Sequence, residues 1–383
     1  MNRINLDAQS STPPAPEVIE AMRPYLSGNF APAAAAHYSG KQVRKAIERA
    51  REQIAAAISA SDVEEIIFTG SGTEANNLAI KGILTARKPF GNHVLSTPLD
   101  HPSVWFSIQS MISQGFEHGV WEVDAVGRLP GIECLGENFR QDTILASVPV
   151  STPELGIVQP IHAISEWLER EGVALMLDAT TAGGWTPLDV ATLKPSLMSL
   201  SPHRFHGPKG VGILYKRRGV SLVPLMHGGN QEFGLRAGTE NVSGIAGLGL
   251  AAEIASNFEK ENFSHLLELE NYFKELIIDK HNDITFNGFD NNKLPGLVNL
   301  TIPNIPSDLL LINLDNDGIS ISNGSACSSG TISPSPVLKA MGLSDKSNLE
   351  SVRISAGKYN TMDEVNKLVD SIHSSIVTIR KNT

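Results

Sequence analysis

The sequence predicts an α/β fold: a mostly parallel sheet covered on both faces, followed by a smaller α+β unit. Three observations lead there. Apolar runs of strand length recur as "EEIIFTG", "HVLSTP", "TILASVPV" and "VALMLDA". Helix-patterned stretches such as "IHAISEWLEREG" stand between them. Strand alternating with helix in this way builds a parallel sheet with both faces buried. Past residue 255 the alternation gives way to a helix, three short strands and a closing helix.

The elements follow in order. "KQVRKAIERAREQIAAAISA" places Val43, Ile47, Ala50, Ile54 and Ile58 on one helical face. "EEIIFTG" (64–70) reads as a short buried strand, and "SGTEANNLAIKGIL" then starts a helix with Ser71 and Glu74 at capping-box positions. In the C-terminal part, "FSHLLELENYFKELII" reads as a helix, and "LVNLTI", "DGISIS" and "SVRIS" read as strands. "TMDEVNKLVDSIHSSIVTI" is amphipathic, with Met362, Val365, Leu368, Val369, Ile372, Ile376 and Ile379 sharing a face. The expected division is a large domain over 14–255 and a small domain from 1–13 with 256–383.

Composition narrows the function classes. Of the 383 residues, 41% are hydrophobic and 19% charged, an ordinary globular balance. A net charge of -10 argues against a general nucleic-acid or membrane-surface role. The two cysteines, Cys134 and Cys327, do not make a disulfide framework and point to a reducing cytosol. The first residues carry no apolar signal-peptide core, and no window approaches the ~18 apolar residues of a membrane span. A cytoplasmic protein is therefore expected.

Several residues have types and settings suited to chemistry. In "IIFTGSGTE" a strand runs through a glycine turn into a helix. The free N–H groups there, at Gly72 and beyond, and the Thr73 hydroxyl suit a phosphate, although a plain capped helix has the same pattern. "VALMLDAT" ends a strand in Asp178, at the edge where α/β sheets bind ligands. It reads equally as the counter-charge to a protonated ring nitrogen or as a helix cap. His101 in "LDHPSV" suits stacking on a flat ring or moving a proton, or serves as a cap. Cys327 stands in "NGSACSSG", a polar loop where a thiol is accessible and suited to a nucleophile, whereas Cys134 is expected to pack. Arg353 in "SVRIS" suits a carboxylate clamp or a structural ion pair. There is no Cys-x-x-Cys, no His-x-x-x-His and no Gly-x-Ser-x-Gly, so metal and serine-hydrolase chemistry lack support.

Taken together, these stretches resemble the cysteine desulfurases of the class V aminotransferase family. The resemblance runs through "NLDAQSSTPPAPEV", "FTGSGTEANNLAIKG", "LDHPSV", "ELGIVQPI", "LMLDAT", "SPHRFHGPKGVG", "HGGNQEFGLRAGTEN", "NGSACSSG" and "SVRISAGKY". It implies fold type I of pyridoxal 5'-phosphate proteins, with a seven-stranded sheet in the large domain, a small α+β domain carrying the Cys327 loop, and a homodimer. By the same resemblance, Thr73, Ser201 and His203 hold the cofactor phosphate, with Thr239 reaching over from the second subunit. His101 would stack on the ring and Asp178 would pair with its nitrogen. Arg353 would bind the carboxylate of L-cysteine. Cys327 would take the sulfur as a persulfide, leave L-alanine, and pass the sulfur to an acceptor protein. The Gly-Ser-Ala-Cys form looks like the subgroup that serves iron–sulfur assembly, tRNA thiolation or DNA sulfur modification.

The match breaks at the residue that should tether the cofactor. The family lysine follows the histidine of "SPHRFHG", and here that position is Arg204. A guanidinium has a pKa above ~12 and essentially no free amine to bond an aldehyde. Lys209 matches a different family lysine. Other positions depart in company: Thr181 for the glutamine near the cofactor's phenolic oxygen, Pro153 for an asparagine, Asn230 for a glycine and Phe233 for an arginine. Together they indicate a natural divergent member. The readings left open are a desulfurase with noncovalent cofactor, a protein without the cofactor chemistry (sulfur relay, iron–sulfur scaffold or regulatory partner), and a different reaction on the same cofactor.

Overall fold

The computed structural model describes residues 3–257, 259–288, 292–323 and 333–382. A short strand β1 (Ile4–Asn5) comes first. The next seven strands build one sheet: β2 (Ile66–Thr69), β3 (His93–Ser96), β4 (Glu117–Val120), β5 (Thr143–Pro149), β6 (Ala174–Asp178), β7 (Leu197–Leu200) and β8 (Gly212–Lys216). Their order is β2-β8-β7-β6-β5-β3-β4. Only β8 runs antiparallel to its neighbours; the other pairings are parallel. The expected α/β class with a mostly parallel seven-stranded sheet is thus the observed one.

Central β5 and β6 are buried at every residue, which is why they read as unbroken apolar runs. Three strands of this sheet are not read from the sequence: β7, whose four buried residues include Ser199, and two others. Edge strand β4, "EHGV", is only half-covered, and its polar residues hide it. Antiparallel β8, "GILYK", follows a glycine-rich loop with no helix before it. Helix Tyr38–Ala57 buries Val43, Ile47, Ala50 and Ile54 as its periodicity requires. It lies so close to helix Val242–Asn257 that a Cβ on Gly249 would come 2.6 Å from the Ala50 Cα.

A second core forms on the three-stranded antiparallel sheet of β9 (Thr285–Asn287), β10 (Leu297–Thr301) and β12 (Ser351–Ser355), ordered β12-β10-β9. Between β10 and β12 in the chain, β11 (Ile319–Ser320) pairs in parallel with β1. Leu269, Phe273 and Ile277 of helix Glu259–Lys280 meet Val365, Leu368, Val369, Ile372 and Ile376 of helix Met362–Asn382. Leu6 and Ala8 join this core from the N-terminus. The chain then crosses to the large sheet, where Thr12 donates to the His203 carbonyl at 2.7 Å. Among the described residues no helix is long and apolar enough to cross a membrane.

Candidate active site

Asp178 ends β6, and its carboxylate is fully engaged. Oδ1 accepts from the Thr180 N–H (2.9 Å), the Thr180 hydroxyl (2.6 Å) and the Ser199 hydroxyl (3.3 Å). Oδ2 accepts from Asn76 Nδ2 at 3.0 Å. Asn76 lies on helix Gly72–Arg87 and also donates to Ser103 Oγ at 2.9 Å. His101 follows β3 and caps helix Pro102–Ile112, with Nδ1 accepting from the Ser103 N–H at 3.1 Å. Burial pulls the His101 pKa down, Asp178 opposes this, and Arg204 adds to it, so all three residues share one electrostatic neighbourhood.

The glycine turn meets this cluster. A Cβ on Gly72 would lie 2.8 Å from Thr180 Cγ2 and 3.2 Å from Ser201 Cβ, so Gly72, Thr180 and Ser201 converge and only glycine fits. Thr73 stands exposed at the helix start. Ser71 caps that helix through the Glu74 N–H at 3.1 Å. The reciprocal bond expected of a capping box shifts by one residue: Glu74 accepts from the Gly70 N–H at 2.8 Å and pairs with Arg236 Nε at 2.9 Å. His203, in the turn after β7, faces Ser11 Oγ at 3.3 Å. Burial, then Arg204 and Lys209, lowers its pKa to about 4, so the ring is neutral at neutral pH.

Arg204 closes the 3₁₀ turn Pro202–Arg204, and its carbonyl accepts from Trp185 Nε1 at 3.2 Å. Lys209 is exposed. Thr181 is buried, and its hydroxyl donates to the Ser151 carbonyl at 3.0 Å. Thr239 is exposed in the loop ahead of helix Val242–Asn257. Arg353 is engaged within the chain: Nη2 donates to Asp7 Oδ1 (2.6 Å) and Ser10 Oγ (2.7 Å), and Nη1 to the Pro153 carbonyl (3.1 Å). Cys327 lies outside the described residues. Cys134 is a correction: it is exposed, because the short helix Ile132–Leu135 turns Leu135 inward and the thiol outward.

Sequence reasoning missed three polar residues of the site. Asn76, one helical turn beyond Gly72, is not singled out by the sequence pattern, yet it is buried and bonded to Asp178. Asp7 lies in an N-terminal stretch far from Arg353 in the chain. Asp100 directly precedes His101; Thr97 donates to its Oδ2 from the backbone (2.6 Å) and the hydroxyl (3.0 Å). Burial, with Asp178 adding to it, pushes the Asp100 pKa up to about 8, so at neutral pH it is mostly the uncharged acid.

A parallel-sheet α/β protein with its polar cluster at the carboxyl ends of β3, β6 and β7 belongs to the broad class that binds small ligands at that edge. The particular family is given by comparison. Residues 4–368 match the profile of the family described as Aminotransferase class-V. The cysteine desulfurase IscS of Dictyoglomus turgidum is 38% identical over 377 residues, 98% of this chain and 95% of that protein. A solved NifS-like protein superposes with a TM-score of 0.92 at 29% identity, covering 98% of this chain and 100% of its own. SspA in complex with cysteine superposes with a TM-score of 0.82 at 33% identity, covering 94% of this chain and 100% of its own. The chain belongs to the class-V aminotransferase family, and within it resembles cysteine desulfurases over its whole length.

Proposed function

We propose that this protein is a cysteine desulfurase homologue that handles the sulfur of L-cysteine and holds pyridoxal 5'-phosphate without a covalent link. The observation that carries the reading is the convergence of Gly72, Thr180 and Ser201 beside a four-bonded Asp178, in a chain whose tethering position is an arginine. Two buried acceptors, Asn76 Oδ1 on the residue bonded to Asp178 and Gln9 Oε1 on the residue bonded to the Thr181 carbonyl, and Arg353 Nε further off, lack a partner among the described residues. Buried polar atoms are ordinarily bonded, so such a set fits a polar ligand. The N–H groups of the Gly72 turn and the Ser201 hydroxyl therefore suit the cofactor's phosphate, the Asp178 carboxylate suits its ring nitrogen, and Arg204 does not suit attachment to its aldehyde.

In this reading Thr73, Ser201 and the neutral His203 hold the phosphate. Asp178 would pair with the ring nitrogen, and His101 would lie against the ring. When bound, the cofactor supplies an electron sink for breaking the carbon–sulfur bond. Arg353 orients the substrate carboxylate. Cys327 takes the sulfur as a persulfide and hands it to an acceptor protein. Arg204 stays protonated and has no free nitrogen to accept the substrate α-proton, a role typically worth ~10²–10⁴-fold. His101, uncharged and adjacent, is the residue left to do so, and turnover is slow. A homodimer would bring Thr239 of a second copy to the phosphate.

A second reading, a sulfur relay or regulatory partner without its own turnover, is favoured by the Arg353 bonds to Asp7, Ser10 and Pro153. One experiment separates the two. The protein is loaded with pyridoxal phosphate, given L-cysteine, and assayed for alanine and for a one-sulfur mass gain on the Cys327 peptide. A parallel sample is reduced with borohydride. Alanine with persulfide, and no cofactor fixed to the chain, supports the first reading. Persulfide only when an active desulfurase is added supports the second. No persulfide on Cys327 under either condition rejects the desulfurase and the relay alike and leaves the regulatory partner.

A further inference from the structure

We infer that Glu154 is a positioning residue: its buried carboxylate holds the chain at Ser335, the downstream root of the segment carrying Cys327, against the loop that receives Arg353. The inference rests on the function proposed above. Both roots of that segment lead to Arg353. Upstream, Ser322 and Arg353 exchange backbone bonds, Ser322 N to Arg353 O at 3.1 Å and Arg353 N to Ser322 O at 2.6 Å. Downstream, the Ser335 hydroxyl donates to Glu154 Oε2 at 2.6 Å. The path closes because Arg353 Nη1 donates to the carbonyl of Pro153, the residue before Glu154.

Packing supports the same link. Leu155 and Ile157, just after Glu154, form one buried cluster with Leu99, Val337, Leu338 and Met341. Leu99 lies two residues ahead of His101, and the last three follow Ser335. The contact is tight: a Cβ on Gly127 would come 2.8 Å from Leu155 Cδ1 and 3.4 Å from Met341 Sδ. Ser335 has no freedom of its own. Its N–H donates to Asn348 Oδ1 (2.8 Å), its carbonyl accepts from Asn348 Nδ2 (2.9 Å), and its Oγ caps Val337 and Leu338 (3.2 and 3.3 Å). The single hydroxyl hydrogen goes to Glu154. A carboxylate in an apolar cluster is costly to bury, and helix docking alone does not require one. What this side chain adds is an acceptor oxygen for one root, near the arginine that holds the other: burial raises the Glu154 pKa, and the Ser335 bond and the Arg353 charge oppose this. A shift of the Arg353 guanidinium is thereby felt at both ends of the Cys327 segment.

The test uses the full chain with Glu154→Met, which keeps side-chain length and removes the acceptor, and Glu154→Gln, which keeps an acceptor oxygen. Alkylation of Cys327 by iodoacetamide is followed across pH, with exposed Cys134 as the internal reference, together with amide hydrogen exchange at Val337 and Leu338. The expected result for Glu154→Met is an exchange rate raised about fivefold, the worth of a hydrogen bond, with an altered Cys327 alkylation profile and unchanged Cys134. Glu154→Gln is expected within about twofold of the unaltered protein, since its bond to Ser335 survives. If Glu154→Met lowers only the melting temperature and leaves exchange and alkylation unchanged, Glu154 is a structural residue and the inference is wrong. It is equally wrong if Glu154→Gln disturbs both readouts as much as Glu154→Met does. Neither readout needs cofactor or L-cysteine, so a failure of the proposed function, seen as absent persulfide in the unaltered protein, is a separate result.

Discussion

Replacing Asp7 by Asn tests whether Arg353 is held in reserve for a substrate. Arg353 is only 3% exposed, and Nη2 is shared between Asp7 Oδ1 at 2.6 Å and Ser10 Oγ at 2.7 Å. Asp7→Asn keeps the shape and an acceptor oxygen but removes the charge. Stranding one partner of a fully buried ion pair costs about 3–5 kcal/mol. The Asp7 side chain is 21% exposed, and the amide oxygen still accepts, so about 2–3 kcal/mol is the expected loss here. A chain of this size unfolds with an entropy of about 0.8 kcal/mol per kelvin, which makes the shift in melting temperature about 3 °C downward. Binding should move the other way. With its internal anion gone, the guanidinium is freer to take a carboxylate, and L-cysteine affinity should rise about tenfold, a change of about 1.4 kcal/mol. Calorimetric titration of the cofactor-loaded protein reads this directly, with cysteamine, which lacks the carboxylate, as the control that should not change. The competition argument is refuted if L-cysteine binds Asp7→Asn no more tightly than the unaltered protein. Weaker L-cysteine binding with unchanged cysteamine would mean that Asp7 aims Arg353 at the substrate and does not compete with it.

Two further outcomes follow from the site and its surroundings. Arg204→Lys introduces an amine with an ordinary pKa near ~10.4 in place of a guanidinium above ~12, so borohydride should now fix pyridoxal phosphate to residue 204. A mass spectrum showing cofactor fixed to another lysine in the unaltered protein would contradict the role given to Arg204. Acid should destabilise the fold. Burial first, and His93 second, lowers the His118 pKa to about 4, so the unfolded chain, whose histidines titrate near ~6.5, binds more protons. The stability due to the neutral ring is present above that unfolded value and lost as pH falls from there through about 4. His118→Gln should flatten the fall in melting temperature over that window, and an unchanged slope would show that His118 is not responsible.

Much of the site could be read from residue order because local chemistry wrote it. The strand, glycine turn and capped helix around Gly72 depend on neighbours within a few positions, and so do the apolar runs of β5 and β6. The same holds for Asp178 at a strand end and for the absence of an amine at position 204, a property of arginine in any fold. Tertiary structure decided the rest. Asn76 joins Asp178 across 102 positions, Asp7 meets Arg353 across 346, and Glu154 meets Ser335 across 181. Residue type leaves each of these groups with several equally suitable partners. Only the close packing of the two cores, which excludes water from them, selects which carboxylate meets which donor.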